Sequence, residues 1–102
     1  MNQNDPPTEH ILACLSSSPS NAKIVRTAAT MAKAFGGTFT ALYVRTPDSD
    51  QMGKEDCRRL QQHIRMAEQA GANISTIYGD DIPQQIAEFA RISGITKIVL
   101  GR

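Results

Sequence analysis

The chain has 102 residues, of which 40% are hydrophobic and 21% charged, and its formal net charge at neutral pH is +1. This length suits one domain with a single core. The near-neutral charge does not favour a nucleic acid as partner. No apolar run approaches the ~20 residues that cross a bilayer, so direct membrane contact is not expected. Residues 1–9 are polar and are interpreted as a flexible lead-in or a cloning remnant, which leaves one domain over residues 10–102.

Apolar runs and helical stripes alternate along the chain. The run Ile11–Leu15 predicts a strand that is buried on both faces, as strands of parallel sheets are. A helix is predicted from the capping residue Ser20 to about Phe35, because apolar residues recur there at spacings of three and four. The glycine pair Gly36–Gly37 ends this helix. Its predicted buried stripe consists of Val25, Ala28, Ala32 and Phe35.

The middle of the chain repeats the same alternation. Thr38–Val44 is predicted as the second strand, and a polar loop follows it. The second helix is predicted to begin near Lys54 and to end before Gly71, and Ala72–Tyr78 is predicted as the third strand. The predicted buried stripe of the second helix consists of Cys57, Leu60, Ile64 and Ala67.

The last predicted helix begins after two aspartates. Asp80 and Asp81 are interpreted as caps rather than as an acid–base pair, because they directly precede the helix. Pro83 suits the first turn, where its missing N–H costs nothing, and Lys97–Leu100 is predicted as the fourth strand. The residues expected to be buried in this helix are Ile82, Ile86, Phe89 and Ala90.

The order βαβαβαβ predicts an α/β domain with an open parallel sheet and helices on both faces. With a flavodoxin- or Rossmann-like strand order 3-2-1-4, a ligand is expected at the carboxyl ends of strands one and four. Such domains usually continue into a fifth strand, and here the fourth predicted strand reaches the last residues, so we expect the sheet to be truncated. The exposed edge of strand four then favours a homodimer.

Two segments are candidates for a nucleotide site. Ser16, Ser17 and Ser18 place three hydroxyls between a strand and a helix N-terminus, a position that suits phosphate. Tyr43 lies near the end of strand two, where its ring is suited to stack on a base. The alternatives are that the serines only satisfy local backbone groups and that Tyr43 is an ordinary half-buried strand residue. Phe39, at the start of strand two, is assigned to the core.

From His10 to Arg102 the chain resembles the universal stress protein-like domain of the KdpD sensor histidine kinases, membrane proteins that control potassium uptake through a two-component system. The most specific similarity is the ending Thr96–Arg102. A subset of these domains binds the second messenger cyclic di-AMP and carries the motif SxS, twenty residues, then FTAxY. This chain matches every fixed position, with residues 19–38 as the gap; the matching residues are Ser16, Ser18, Phe39, Thr40, Ala41 and Tyr43.

The resemblance implies a cytoplasmic regulatory domain that binds cyclic di-AMP without turnover, inside a kinase of the cell membrane whose other domains are its partners. Serine hydroxyls and backbone N–H groups would bind phosphate, and Tyr43 would stack on adenine. The small Thr40 and Ala41 would let a base approach the backbone. The backbone at Val44 and Arg45 would read an adenine edge. Gly101 and Arg102 would border the same crevice, with the arginine charge near phosphate; no catalytic or metal residue and no other cofactor is implied.

Two rival functions remain open. The first is an ATP-binding universal stress protein-like domain. Such domains usually have an aspartate at the end of strand one, where this chain has Leu15, Ser16 and Ser17, and their glycine-rich phosphate loop would follow Arg102. The second rival is a docking module that binds no small molecule.

The remaining chemistry-bearing residues have ordinary structural interpretations. His63 is expected at the surface or its boundary. The charges of Arg58, Arg59 and Arg65 are expected to form a solvated face of the second helix. Cys14 and Cys57 lack a metal-type spacing and are interpreted as small core residues in a reducing compartment.

Overall fold

The computed structural model describes residues 9–100, which form four strands and three α-helices in strict alternation. Every predicted element is present, and each stated end agrees to within one residue. The strands are β1 (His10–Cys14), β2 (Thr38–Arg45), β3 (Asn73–Tyr78) and β4 (Lys97–Val99). The helices are α1 (Asn21–Phe35), α2 (Lys54–Gln69) and α3 (Ile82–Ser93), and a short 3-10 helix over Asp48–Gln51 precedes α2.

The strands form one parallel sheet in the order β3-β2-β1-β4, as predicted. Ala13 of β1 pairs with Ala41 of β2 on one side and with Val99 of β4 on the other. The chain therefore winds outward in both directions from β1, and the strand order reverses there. In sheets of this type a crevice opens at the carboxyl ends of the strands at that reversal.

Helices cover both faces of the sheet, because alternate residues of each strand point to opposite sides. On one face, Ile11 and Ala13 pack in a core cluster with residues of α1 and α2. On the other face, Leu12 packs with Leu42 and Val44 against residues of α3. Ile11, Leu12 and Ala13 are completely buried, which agrees with the apolar run that predicted a strand inside the sheet.

The predicted helical stripes are wrong in the terminal turns, and four of the other residues expected to be buried are only half-buried: Ile64 in α2 and Ile86, Phe89 and Ala90 in α3. Phe35, the last residue of α1, is 51% exposed, and its ring packs under the ammonium of Lys97, which lies 5.2 Å from the ring centroid. Ile82, the first residue of α3, is 44% exposed, and Cys57 in the first turn of α2 is also exposed. Apolar spacing alone does not show whether the sheet extends far enough to cover the first and last turns of a helix.

Candidate functional site

A cavity of about 280 Å³ lies beside the carboxyl end of β1, where the strand order reverses. Its volume is near the lower end of the ~300–1,000 Å³ typical of small-molecule sites. One wall is polar and belongs to the segment from the end of β1 to the start of α1, and the other is apolar and is formed by residues of β1, β2 and α3 and by the residue after β4. The polar wall contains Ser16, Ser18, Ser20 and Asn21, and the apolar wall includes Cys14, Leu42, Val44, Ile82, Ile86 and Leu100.

Asn21, the first residue of α1, shapes the backbone at this site. Its side chain is buried, with 4% of the residue exposed. Nδ2 donates to the carbonyl oxygen of Cys14 over 2.8 Å, and Oδ1 accepts from the N–H of Ser16 over 3.1 Å. No sequence motif predicted this role for Asn21. The available signal was an amide side chain in the first helical turn directly after the serines, at a position where a helix faces its strand.

The hydroxyls of the serine turn, by which we mean Ser16–Ser18, bond mainly to local groups. Ser16 Oγ accepts from the N–H of Ser18 over 3.2 Å, and Ser18 Oγ lies 2.9 Å from Ser20 Oγ. These bonds agree with the alternative interpretation, in which the serines satisfy local groups of the turn. A hydroxyl that accepts a bond keeps its own proton to donate, so Ser16 retains a donor for an anion.

Ser20 occupies the N-cap position of α1 but does not cap the helix with its side chain, so this prediction is wrong. Its backbone is already helical, with φ −75° and ψ −8°, whereas a capping side chain requires an extended backbone. The prediction for α3 is confirmed for Asp81, whose Oδ1 accepts from the N–H of Gln84 over 3.2 Å.

Two side chains of α2 contact the serine turn, contrary to prediction. His63 is 4% exposed rather than a surface residue, and its Nδ1 lies 2.7 Å from the carbonyl oxygen of Ser16. Arg59 is partly buried, and its Nη1 donates to the carbonyl oxygen of Ser17 over 3.0 Å and to Asp56 over 3.3 Å. The two residues lie one helical turn apart and so share a face.

The selected residues of β2 divide between the two faces of the sheet. Val44 points toward the α3 face and lines the cavity. Ala41 is buried in the cluster on the opposite face, and the half-buried Tyr43 packs against that cluster. Thr40 is half-buried and pairs with Leu12, farther from the carboxyl ends. The residues described as lining the cavity therefore include Val44 but not Thr40, Ala41 or Tyr43.

Arg45 ends β2 on the exposed rim of the site. Its Nη2 donates to Oδ1 of Asp50 over 2.7 Å, and its guanidinium carbon lies 5.8 Å from the centroid of the Tyr78 ring. The hydrogen bond to the Asp50 carboxylate raises the pKa of Arg45 above its ordinary value. The guanidinium is thus held at the ends of β2 and β3. Gly101 and Arg102, the last two predicted site residues, lie outside the described residues.

The thiol of Cys14 is among the described groups that line the cavity. Burial raises the pKa of the Cys14 thiol to about 11, so this residue is protonated at neutral pH. Within residues 9–100, no three histidine, cysteine or acidic side chains are grouped to hold a metal ion. Nor does any helix in that range have the length and apolar character of a membrane span. Binding is the chemistry that these walls suit: hydroxyl donors on one side and an apolar surface on the other.

The sequence model of the universal stress protein family matches residues 7–102, which is nearly the whole chain. The chain belongs to the universal stress protein family. The fold agrees with this assignment. A universal stress family protein from Burkholderia pseudomallei superposes with a TM-score of 0.71 at 20% identity, over 92% of this chain and 81% of that one.

Curated relatives of this universal stress domain are much longer than the chain. It is 39% identical over 95 residues to the sensor protein KdpD of Clostridium acetobutylicum, which covers 93% of this chain and 10% of that protein. It is 30% identical over 92 residues to the sensor protein KdpD of Escherichia coli, covering 90% of this chain and 10% of that protein. The chain thus corresponds to about a tenth of these sensor proteins and is similar to their universal stress region.

Two similar solved structures contain adenine nucleotides. A universal stress protein in complex with cAMP superposes with a TM-score of 0.66 at 16% identity, over 88% of this chain and 69% of that one. The universal stress protein from Archaeoglobus fulgidus in complex with dAMP gives a TM-score of 0.56 at 20% identity, over 89% of this chain and 78% of that one. At these identities the likeness concerns the fold.

Proposed function

We propose that this universal stress domain binds cyclic di-AMP and regulates a KdpD-type sensor histidine kinase of the cell membrane from the cytoplasmic side. The observation that carries the proposal is the complete SxS-x20-FTAxY pattern of the sequence, whose Ser16 and Ser18 lie in the polar wall of the cavity. The similarity to two KdpD sensor proteins supports the sensor context. In our proposal the other domains of that kinase are the partners, and control of potassium uptake is the output.

The ligand is a cyclic dinucleotide with two adenines and two phosphates, and the cavity volume of about 280 Å³ suits one nucleoside unit rather than both. In our proposal one adenine packs on the apolar wall near Val44 and Ile86, where the backbone of Val44 and Arg45 reads its edge. In our proposal a phosphate binds at the serine turn. The turn directly precedes α1, and the N-terminus of a helix favours a bound anion.

The second adenine would lie outside the cavity, across the ends of the strands. The serine turn lies at the boundary of the two faces, because its serines line the cavity on the α3 side while its carbonyls contact α2. Tyr43 lies on this second face, together with the neighbouring Arg45 at the rim. A base that crosses the turn would reach the Tyr43 ring by this route. Thr40 and Ala41 leave room near it, and Gly101 and Arg102 are proposed to border the other phosphate.

A titration of the purified domain with cyclic di-AMP and with ATP in the same buffer tests the proposal. We expect measurable heat with cyclic di-AMP and clearly weaker binding of ATP. Ser16→Ala/Ser18→Ala, which removes both hydroxyls of the motif, should weaken the binding of cyclic di-AMP, whereas Ser93→Ala at the end of α3 serves as the matched control. Binding of ATP as tight as that of cyclic di-AMP would overturn the proposal.

An adenine mononucleotide is the second candidate ligand. Two similar structures contain cAMP and dAMP, and the cavity volume suits a single nucleotide. The same titration separates the candidates, because a mononucleotide site gains nothing from the second half of cyclic di-AMP. Absence of binding by either ligand would leave the docking role. Sedimentation at several protein concentrations would test the proposed homodimer through the β4 edge.

A further inference from the structure

Two side chains of α2 that are not among the described lining residues of the cavity hold the backbone of the serine turn. Arg59 donates to the carbonyl of Ser17 over 3.0 Å, and His63 Nδ1 lies 2.7 Å from the carbonyl of Ser16. A carbonyl oxygen only accepts, so Nδ1 of His63 carries the proton in this contact. These contacts join residues 42 and 47 positions apart in the sequence, so they hold together two segments that are distant along the chain.

Neither α2 side chain is among the described residues that line the cavity, whereas Ser16 and Ser18 are. The two carbonyls are thus directed at α2. This orientation matters for an anionic ligand, because a carbonyl oxygen carries partial negative charge and repels phosphate, while a hydroxyl donates to it. Bonds from a guanidinium and an imidazole to these carbonyls keep the acceptor side of the turn away from the ligand.

We propose that Arg59 and His63 are positioning residues of the ligand site: they fix the serine turn in the conformation that binds phosphate, without touching the ligand. The inference rests on the proposed function, since it concerns the affinity of the same site. The bond from Asn21 to the N–H of Ser16 holds the same turn from the side of α1.

Affinity for cyclic di-AMP in variants of α2 tests the inference. Arg59→Ala and His63→Leu each remove one bond to the turn, and we expect each to weaken binding roughly fivefold to tenfold. His63→Asn should recover most of the affinity, because its Nδ2 occupies nearly the place of the imidazole Nδ1. The controls are Arg58→Ala and Arg65→Ala, which remove the same charge from exposed positions of α2 and should bind like the wild type.

Amide hydrogen exchange in the ligand-free protein separates positioning from general destabilisation. In Arg59→Ala and His63→Leu, the N–H groups of Ser16 and Ser18 should exchange faster, since both are hydrogen-bonded within the turn region. The amides of β2 should keep the wild-type rate. Acceleration spread equally over the sheet would mean that the substitutions act only on global stability and would overturn the inference.

The outcomes for the two proposals are distinct. If the wild type binds no cyclic di-AMP, the proposed function fails and the inference with it. If the wild type binds while Arg59→Ala and His63→Leu bind equally well, only the inference fails. Equal losses in Arg59→Ala and the control Arg58→Ala would assign the effect to overall charge, which also contradicts a role through the Ser17 carbonyl.

Discussion

Asn21 donates a hydrogen bond from Nδ2 to the carbonyl oxygen of Cys14 over 2.8 Å, and so joins the first residue of α1 to the last residue of β1. The same side chain accepts from the N–H of Ser16 over 3.1 Å. Both backbone groups lie at the carboxyl end of β1, where the strand order of the sheet reverses. One buried amide therefore sets the path of the chain into the serine turn.

Replacing Asn21 by alanine should lower the free energy of unfolding by about 2 kcal/mol, since it leaves a buried donor and a buried acceptor without this partner and each such group costs ~1–3 kcal/mol. Urea denaturation measures this change. The matched control is Asn73→Ala at the exposed first residue of β3, which should stay within about 0.5 kcal/mol of the wild type. Equal effects of the two substitutions would contradict a structural role for the Asn21 amide.

The two cysteines should react at very different rates with an alkylating reagent. Burial raises the pKa of Cys14 to about 11, so little thiolate is present at pH 8, whereas Cys57 is exposed. We therefore expect Cys57 to be modified first, as measured by mass spectrometry of the separated peptides. Because Cys14 also lines the cavity, a bound ligand should slow its modification further and leave the rate at Cys57 unchanged.

Titration of Cys14 should also reduce stability at alkaline pH. The unfolded chain releases this proton near the ordinary value of 9.0, and the folded chain holds it up to about 11. The contribution of this group to the free energy of unfolding is therefore complete below about pH 9 and is lost as the pH rises toward 11. Thermal melts across this range should show a smaller loss for Cys14→Ala than for the wild type, and parallel losses would contradict the assignment.

The fold was predictable from the sequence because the spacing of apolar residues indicates which positions are buried, and glycines indicate where helices end. Apolar residues on both faces of Ile11–Leu15 indicated an inner strand, and the glycines after α1 and α3 marked the helix ends. The roles of Arg59 and His63 were not predictable. A helical period separates apolar from polar residues, but it cannot distinguish a polar side chain in water from one that meets a backbone carbonyl 42 or 47 residues away.

The site was predictable only in part. The motif selected Ser16 and Ser18, and the cavity does include both of them. It also selected Tyr43, whose strand alternation puts the ring on the opposite face from Val44. The motif records residue types along the chain, whereas the face of each side chain depends on the register of β2 beside β1.

Phe35 and Phe39 show that two residues of the same type can contribute very differently to stability, depending on their burial. Phe39 is 4% exposed and belongs to the core cluster, whereas Phe35 is 51% exposed at the end of α1. Phe39→Ala should lower the free energy of unfolding by about 3–5 kcal/mol, as is typical of a large core truncation. Phe35→Ala should cost well under half as much, because most of its ring area is in water in the folded state. Urea denaturation of both variants in parallel checks the difference.

Tyr43→Ala tests whether the second adenine reaches the face of the sheet that carries this ring. Base–aromatic stacking is worth ~1–3 kcal/mol per base by alanine substitution, so affinity for cyclic di-AMP should fall roughly fivefold to more than a hundredfold. Tyr43→Phe should keep most of the affinity, because it retains the aromatic face and loses only the hydroxyl. Ser18→Ala should cost less than Tyr43→Ala if water replaces its hydrogen bond.

The half-buried position of Tyr43 requires a separate control for folding, since the ring also packs against the core cluster. A thermal melt of each variant supplies it, and Tyr78→Ala removes an exposed ring from the end of the neighbouring strand for comparison. Stacking by Tyr43 predicts that Tyr43→Ala loses affinity while folded and that Tyr43→Phe does not. If folded Tyr43→Ala binds like the wild type, the tyrosine acts only in packing, and the second base then lies elsewhere than on this ring.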